Sequence, residues 1–276
     1  LKLFFIVILI ILVGLLVLLI INQKSPVTDS SANTNILTNE IINVDFSKSQ
    51  GNVMHVGSGF LLQTTSADKY TNYLDPLRPG LLRSQYPYLY QNNVYERFKS
   101  FGASVQDILY AEFHGNLSFS KDIWPGDNAD WTTWETYLQN EYDRIKANNY
   151  KVDYEIWNEP DIKFFWGRTQ QQFFETWKHG VMKMKVLDPK GRIVGPSIGV
   201  FSESYLQSFL QYAKTNNVLP DVLSWHELDS SQIDLIPEHV NSIKSWMQAQ
   251  GIYIKEISIN ETIGPLDTNN PGKIVN

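Results

Sequence analysis

Cysteine is absent from the 276 residues. That removes disulfides, thiol catalysis and zinc–thiolate sites together, though it does not argue against export. A surplus of positive charge is absent too. The formal net charge is −6, which disfavours a nucleic-acid partner. A glycine-rich phosphate loop is missing as well: the first strand signal runs into GSGFLL, which lacks the G-x-G-x-x-G spacing of a nucleotide fold. Charged residues make up only 19%, whereas aromatics reach 13% with eight Trp. Such rings either fill a large core or line a cleft for sugars, whose C–H faces stack on indole.

The length suits one large domain or two small ones. Residues Leu3 to Ile21 form an unbroken apolar run, flanked by Lys2 and Lys24. As a helix it would span roughly 28 Å, close to a bilayer core. The apolar core of a cleaved signal peptide is only about 7–15 residues. Residues 1–24 are therefore expected to be a transmembrane signal anchor, and 25–50, rich in Ser, Thr and Asn, a flexible polar linker. The expected location is extracytoplasmic: anchored at the membrane, or secreted if the segment is cleaved.

From residue 51 to 276 strand and helix signals alternate. Seven short strand signals occur: VMHVGSGFLL, GLLRSQ, SVQDILYAEF, VDYEIWNE, RIVGPS, DVLSWHE and IKEISINE. Between them lie helical patterns. Trp131, Trp134, Leu138, Tyr142 and Ile145 share one face, with Asp130 placed to cap it. Phe174, Trp177, Val181 and Met184 do the same, and Thr169 with Gln172 forms a capping-box pattern. Repeated β–α units predict a parallel sheet. The expected class is α/β, a (β/α)8 TIM barrel, with a doubly wound sheet as the alternative. After Glu261 only TIGPLDTNNPGKIVN follows, with no strand-plus-helix signal. The barrel is therefore expected to be truncated before strand eight, and so unstable or inactive as written.

In such a barrel the reacting residues sit where strands end. Predicted strands four and seven end on Asn158–Glu159 and Asn260–Glu261, strand two near Arg83, strand six at His226–Glu227, and strand three near His114. Two carboxylates across a sugar-sized gap are the apparatus of glycoside hydrolysis, one donating a proton and the other attacking. Their proton affinities must differ, and a nearby Arg such as Arg83 would hold the attacking one ionised.

EIWNEP followed about a hundred residues later by EISINE resembles the retaining glycoside hydrolases of clan A. With DPKGRIVGPSIG and DVLSWHELD, the likeness is greatest to glycoside hydrolase family 39, which includes β-xylosidases, α-L-iduronidases and exopolysaccharide hydrolases. The resemblance implies Glu159 as general acid/base, Glu261 as nucleophile and Asn158 as partner of the sugar 2-hydroxyl. It places Arg83 at the strand-two arginine of the clan and His226 on the pocket wall near the nucleophile. The implied partner is an oligosaccharide or polysaccharide, cut by double displacement, and no cofactor is called for.

Each residue has a plainer reading. Glu159 and Glu261 could be structural strand-end carboxylates, and His226 a satisfied core histidine. His114 and Trp166 are further candidates for sugar contacts, with loop packing as their alternative. Glu155 reads as a charge in the barrel interior or on its lower rim. Glu227 beside His226 suggests a metal pair, but adjacent strand residues point to opposite faces, so no metal site is expected. The rival function is a carbohydrate-binding protein on a degenerate barrel.

Overall fold

The computed structural model describes residues 57–61, 74–110, 123–229 and 232–262. They lie within one compact unit, Val53–Asn276. The expected membrane helix and linker fall outside the described residues. Among these residues no helix is long and apolar enough to cross a membrane.

Among the described residues, seven strands and five helices of seven residues or more follow in chain order: β1 (Gly59–Leu61), β2 (Leu81–Gln85), α1 (Val94–Ser100), β3 (Ser104–Ile108), α2 (Thr132–Ala147), β4 (Asp153–Glu155), α3 (Gln170–Leu187), β5 (Ile193–Ile198), α4 (Glu203–Thr215), β6 (Val222–Glu227), α5 (Ile236–Ala249) and β7 (Glu256–Thr262). All six pairings are parallel, and the strands stand in sequence order. A doubly wound sheet would reverse its order at a switch point, and none is found. The sheet also curls. Arg83 on β2 reaches Glu261 on β7, and Gln106 on β3 donates to Ser258 on β7 across 3.3 Å. Strands near opposite ends of the order thus meet across an interior, as in a barrel. Between β1 and β7 lies a cavity of about 730 Å³, bordered by Phe60, Leu81, Val240, Ile257 and Ile259. Among the described residues no eighth strand enters it.

β5 and β6 are buried along their whole length rather than alternating, because helices cover one face and the barrel interior the other. Trp134, Trp157, Trp177 and Trp225 are fully enclosed in the larger core, between sheet and helices. Most of the tryptophan thus serves packing. Trp177 lies so close to β5 that a Cβ on Gly195 would stand 2.3 Å from its ring.

Both predicted helix starts are realised in modified form. Asp130 accepts the Thr132 N–H at 2.8 Å from one residue before the N-cap of α2, Trp131, which makes no side-chain capping bond. Thr169 accepts the Gln172 N–H at 3.2 Å. The Gln172 side chain, however, donates to Pro125 O and Asp127 Oδ1, so half of the capping box ties α3 to the preceding loop.

Two strands depart from regularity where function was expected. The β4 ladder stops at Glu155, four residues before the predicted end. The chain goes on hydrogen-bonding to both neighbours: Asn158 N–H donates to Tyr110 O (3.1 Å) and Glu159 N–H to Ser197 O (2.8 Å). Glu159 takes a left-handed backbone conformation, φ 47°. In β7 the register slips by one residue: Trp225 faces Ile259, but His226 faces Glu261. Asn260 is the extra residue of a bulge.

Candidate active site

The site is built around one buried guanidinium. Arg83 is 1% exposed. Its Nε and NH2 donate to the two oxygens of Glu155 at 2.7 and 2.5 Å. NH2 also donates to Asn158 Oδ1 at 2.8 Å, and NH1 donates to Glu261 Oε1. One cation thus joins residues of β2, β4 and β7, and fixes the orientation of each by the planar fork of its donors.

The irregularities described above supply the partners. Consecutive residues of a regular strand point to opposite faces. Yet both Asn260 and Glu261 reach the interior: Asn260 Nδ2 donates to Gln106 Oε1 and Glu155 Oε2, while Glu261 meets Arg83. The bulge permits this. At the β4 end the left-handed residue does the same for Asn158 and Glu159. Asn158 turns to Arg83, and Glu159 turns to His226, whose Nδ1 lies 2.9 Å from Glu159 Oε1.

The two glutamates sit in different electrostatic settings. Burial pushes the Glu159 carboxyl above its ordinary range, against a weaker pull from Arg83 in the other direction. Glu261 is bound directly to the guanidinium. One group is thus biased towards keeping its proton, and the other carries a counter-charge. His226 is wholly enclosed, and burial, with Arg83 adding to it, lowers its pKa to about 3. It is neutral at physiological pH. Its Nε2 has no partner among the described residues. A bare acceptor costs less in that place than an orphaned N–H. The favoured tautomer therefore carries the hydrogen on Nδ1 and donates it to Glu159.

Glu159, His226 and Glu261 each place a nitrogen or oxygen within 4.8 Å of the others. Such a cluster has the donor types of a metal centre, but a cation there would face Arg83, which already compensates Glu261. Glu227 takes no part. Its Oε1 accepts Trp225 Nε1 at 2.7 Å and meets His239 Nδ1 of α5 at 2.9 Å, on the outer face of the barrel.

Of the residues singled out in the sequence, Arg83, Asn158, Glu159, His226 and Glu261 come together. His226 contacts the expected acid rather than standing only beside the expected nucleophile. Trp166 is a correction. Its indole is 3% exposed, packed edge-on against Trp124, Trp157 and Phe173, and its N–H is used on Thr169 O. It closes the loop and offers no free face to a sugar. His114 lies outside the described residues. Two members of the network, Glu155 and Asn260, were read in the sequence as an interior or lower-rim charge and a strand-end residue, without a part in the site. The available signal for Glu155 was its place on a predicted barrel strand, one face of which must look inwards.

Comparison with known proteins bears on the fold and on the family likeness. Residues 137–259 match the family model described as glycosyl hydrolases family 39. This segment, somewhat less than half of the chain, resembles that family. It contains Asn158, Glu159 and His226, and stops short of Glu261. A 3-O-beta-L-arabinopyranosyl-alpha-L-arabinofuranosidase of Bifidobacterium pseudocatenulatum is 28% identical over 150 residues, covering 54% of this chain and 13% of that protein. The solved structure of N2152 from Neocallimastix frontalis superposes with a TM-score of 0.59 at 29% identity, over 75% of this chain and 52% of the other. A monomeric beta-xylosidase from Caulobacter crescentus gives 0.56 at 16% identity, over 76% and 52%, a likeness of fold. The chain spans about half the length of these two solved structures and a far smaller part of the curated relative.

Proposed function

We propose that the barrel is a retaining glycoside hydrolase. The observation that carries this reading is the spacing of the two carboxylates. An oxygen of Glu159 and one of Glu261 lie within 4.8 Å. Retaining enzymes hold their carboxyl groups about 5–5.5 Å apart, and inverting ones about 6.5–9.5 Å, to admit a water.

In the first step a Glu261 oxygen attacks the anomeric carbon and forms a covalent ester. The bond to the leaving oxygen breaks, and that oxygen takes the proton of Glu159. With His226 donating to Oε1, the Glu159 proton resides on Oε2, free for the leaving group. In the second step Glu159 takes a proton from water, the water oxygen attacks the anomeric carbon, and Glu261 departs as carboxylate. Arg83 accepts no proton in either step; it orients Glu261 and Asn158. Because Asn158 turns Oδ1 to Arg83, its Nδ2 stays as a donor for the sugar 2-hydroxyl. A pure binder would have no use for a desolvated carboxyl opposite an arginine-bound one.

The experiment is proton NMR of the full-length protein with aryl glycosides, read in the first minutes of reaction. The first product is expected to keep the anomeric configuration of the substrate. An inverted first product, or no turnover over a panel of aryl glycosides and exopolysaccharides, refutes the proposal. The arabinofuranosidase and xylosidase names of the relatives make pentosides the first substrates to test. We also propose that the apolar run Leu3–Ile21 anchors the enzyme on the extracytoplasmic side of a membrane. Carbonate extraction of membranes should leave the protein in the pellet, and its release would overturn this.

A further inference from the structure

Glu155 is the most deeply enclosed charge of the network. It is 0% exposed and closes β4. Both of its oxygens bind Arg83, and Oε2 also accepts Asn260 Nδ2 at 3.1 Å. Asn260 is held in turn by Gln106, which donates to Ser258. Side chains from β2, β3, β4 and β7 thus form a continuous layer beneath the two reacting glutamates.

The charge count of this layer changes during the reaction proposed above. In the resting state one guanidinium serves two carboxylates, Glu155 and Glu261. When Glu261 forms its bond to the anomeric carbon, its negative charge is consumed. The electron pair of the broken bond goes to the leaving oxygen together with the Glu159 proton. The negative charge has then moved from Glu261, bound to Arg83, to Glu159, which faces it without a hydrogen bond, and Glu155 is the carboxylate that stays paired with the guanidinium throughout.

We propose that Glu155 is a positioning residue that holds Arg83 and neutralises it throughout the cycle, so that Arg83 neither over-stabilises Glu261 nor draws the proton off Glu159. The inference rests on the retaining reading, and it gives a chemical role to a residue that touches no substrate. Glu159 faces Arg83 from β2, His226 from β6, Glu261 from β7, and Asp161 from its own loop. Arg83 is the one fixed cation among these groups, and Glu155 sets how much of its charge they feel. The pull of Arg83 on the Glu159 proton is already present in the intact site.

The test is Glu155→Gln in the full-length protein, which keeps the shape and removes the charge. With a good leaving group, kcat is expected to fall about tenfold or more while KM moves less than about threefold. The alkaline limb of kcat/KM should move down by about one pH unit, a tenfold change in proton affinity. Carbon NMR of glutamate-labelled protein should show the Glu159 carboxyl titrating lower by a similar amount, a readout that needs no substrate. If E155Q does not fold, E155D serves: its shortened carboxylate loosens Arg83 and moves the limb in the same direction by less. An unmoved limb and an unmoved Glu159 titration in whichever variant folds overturn the proposal, even if thermal stability falls. Absence of turnover in the wild type refutes the retaining reading instead, and the NMR titration still decides the role of Glu155.

Discussion

Replacing Arg83 by Met is the most direct test of the central cluster. Met fills part of the space and has no charge. The change leaves Glu155, wholly buried, and Glu261 in one interior without a counter-charge, and strips Asn158 of its donor. Removing one member of a buried pair costs about 3–5 kcal/mol, because the remaining charge is uncompensated. For a domain of this size 1 kcal/mol shifts the midpoint by about 2–4 °C, so R83M should melt of order 10 °C lower at pH 7.5. The loss should depend on pH in one direction. Protonating either carboxylate relieves the repulsion, so the gap to wild type should narrow as pH falls towards 5. Urea denaturation of both proteins at pH 7.5 and pH 5 measures this. A gap below about 1 kcal/mol, or one equal at both pH values, would show that Arg83 is not the counter-charge of the cluster.

Glu261→Gln is expected to abolish turnover, while Glu159→Ala should lose about 10²–10⁴-fold on substrates with poor leaving groups and far less on activated aryl glycosides; equal loss on both classes would remove Glu159 from the acid role. His226 adds an acid-sensitive element. Its folded pKa of about 3 lies below the ordinary 6.5, so the unfolded chain takes up a proton that the folded one refuses, and stability drains away as pH falls from about 6.5 to 3. At about 1.4 kcal/mol per unit this amounts to a few kcal/mol, and His226→Asn should flatten that part of the stability–pH curve in acid titrations. Gly195→Ala puts a methyl group against Trp177 and should cost about 1–3 kcal/mol in urea denaturation; a neutral effect would mean that the ring has room to move.

Much of the architecture could be read from local pattern. Apolar runs such as IVGPSI and the helical face of Trp134, Leu138 and Ile145 reflect burial, and burial leaves its period in the sequence. The pairing of Asn158–Glu159 with Asn260–Glu261 was legible for a similar reason: polar groups at the end of an apolar strand have few explanations. The extent of β4 was not. A residue in the left-handed region carries no compositional mark when it is Glu, so the ladder appeared four residues longer than it is. The contact of His226 with Glu159 depends on how β4 and β6 are staggered, which is a long-range property. The fate of Trp166 was equally hidden, since a loop tryptophan looks the same whether it faces solvent or plugs the loop from within. Glu155 was recognised as an interior charge, but its partners lie on two other strands, β2 and β7.

The slipped register of β7 makes the nucleophile a matter of parity. From Ser258 to Glu261 the chain counts one residue more than the neighbouring strand, and that odd step alone puts Glu261 on the inner side. Side chains around it can be exchanged with graded losses. Were the ladder regular over the same sequence, Asn260 would face His226 and Glu261 would face Glu227, turning the carboxylate outwards, beneath the helices. The most regular pairing of this sequence is therefore one that could not do the chemistry, and the extra residue is what lets Asn260 and Glu261 both look inwards.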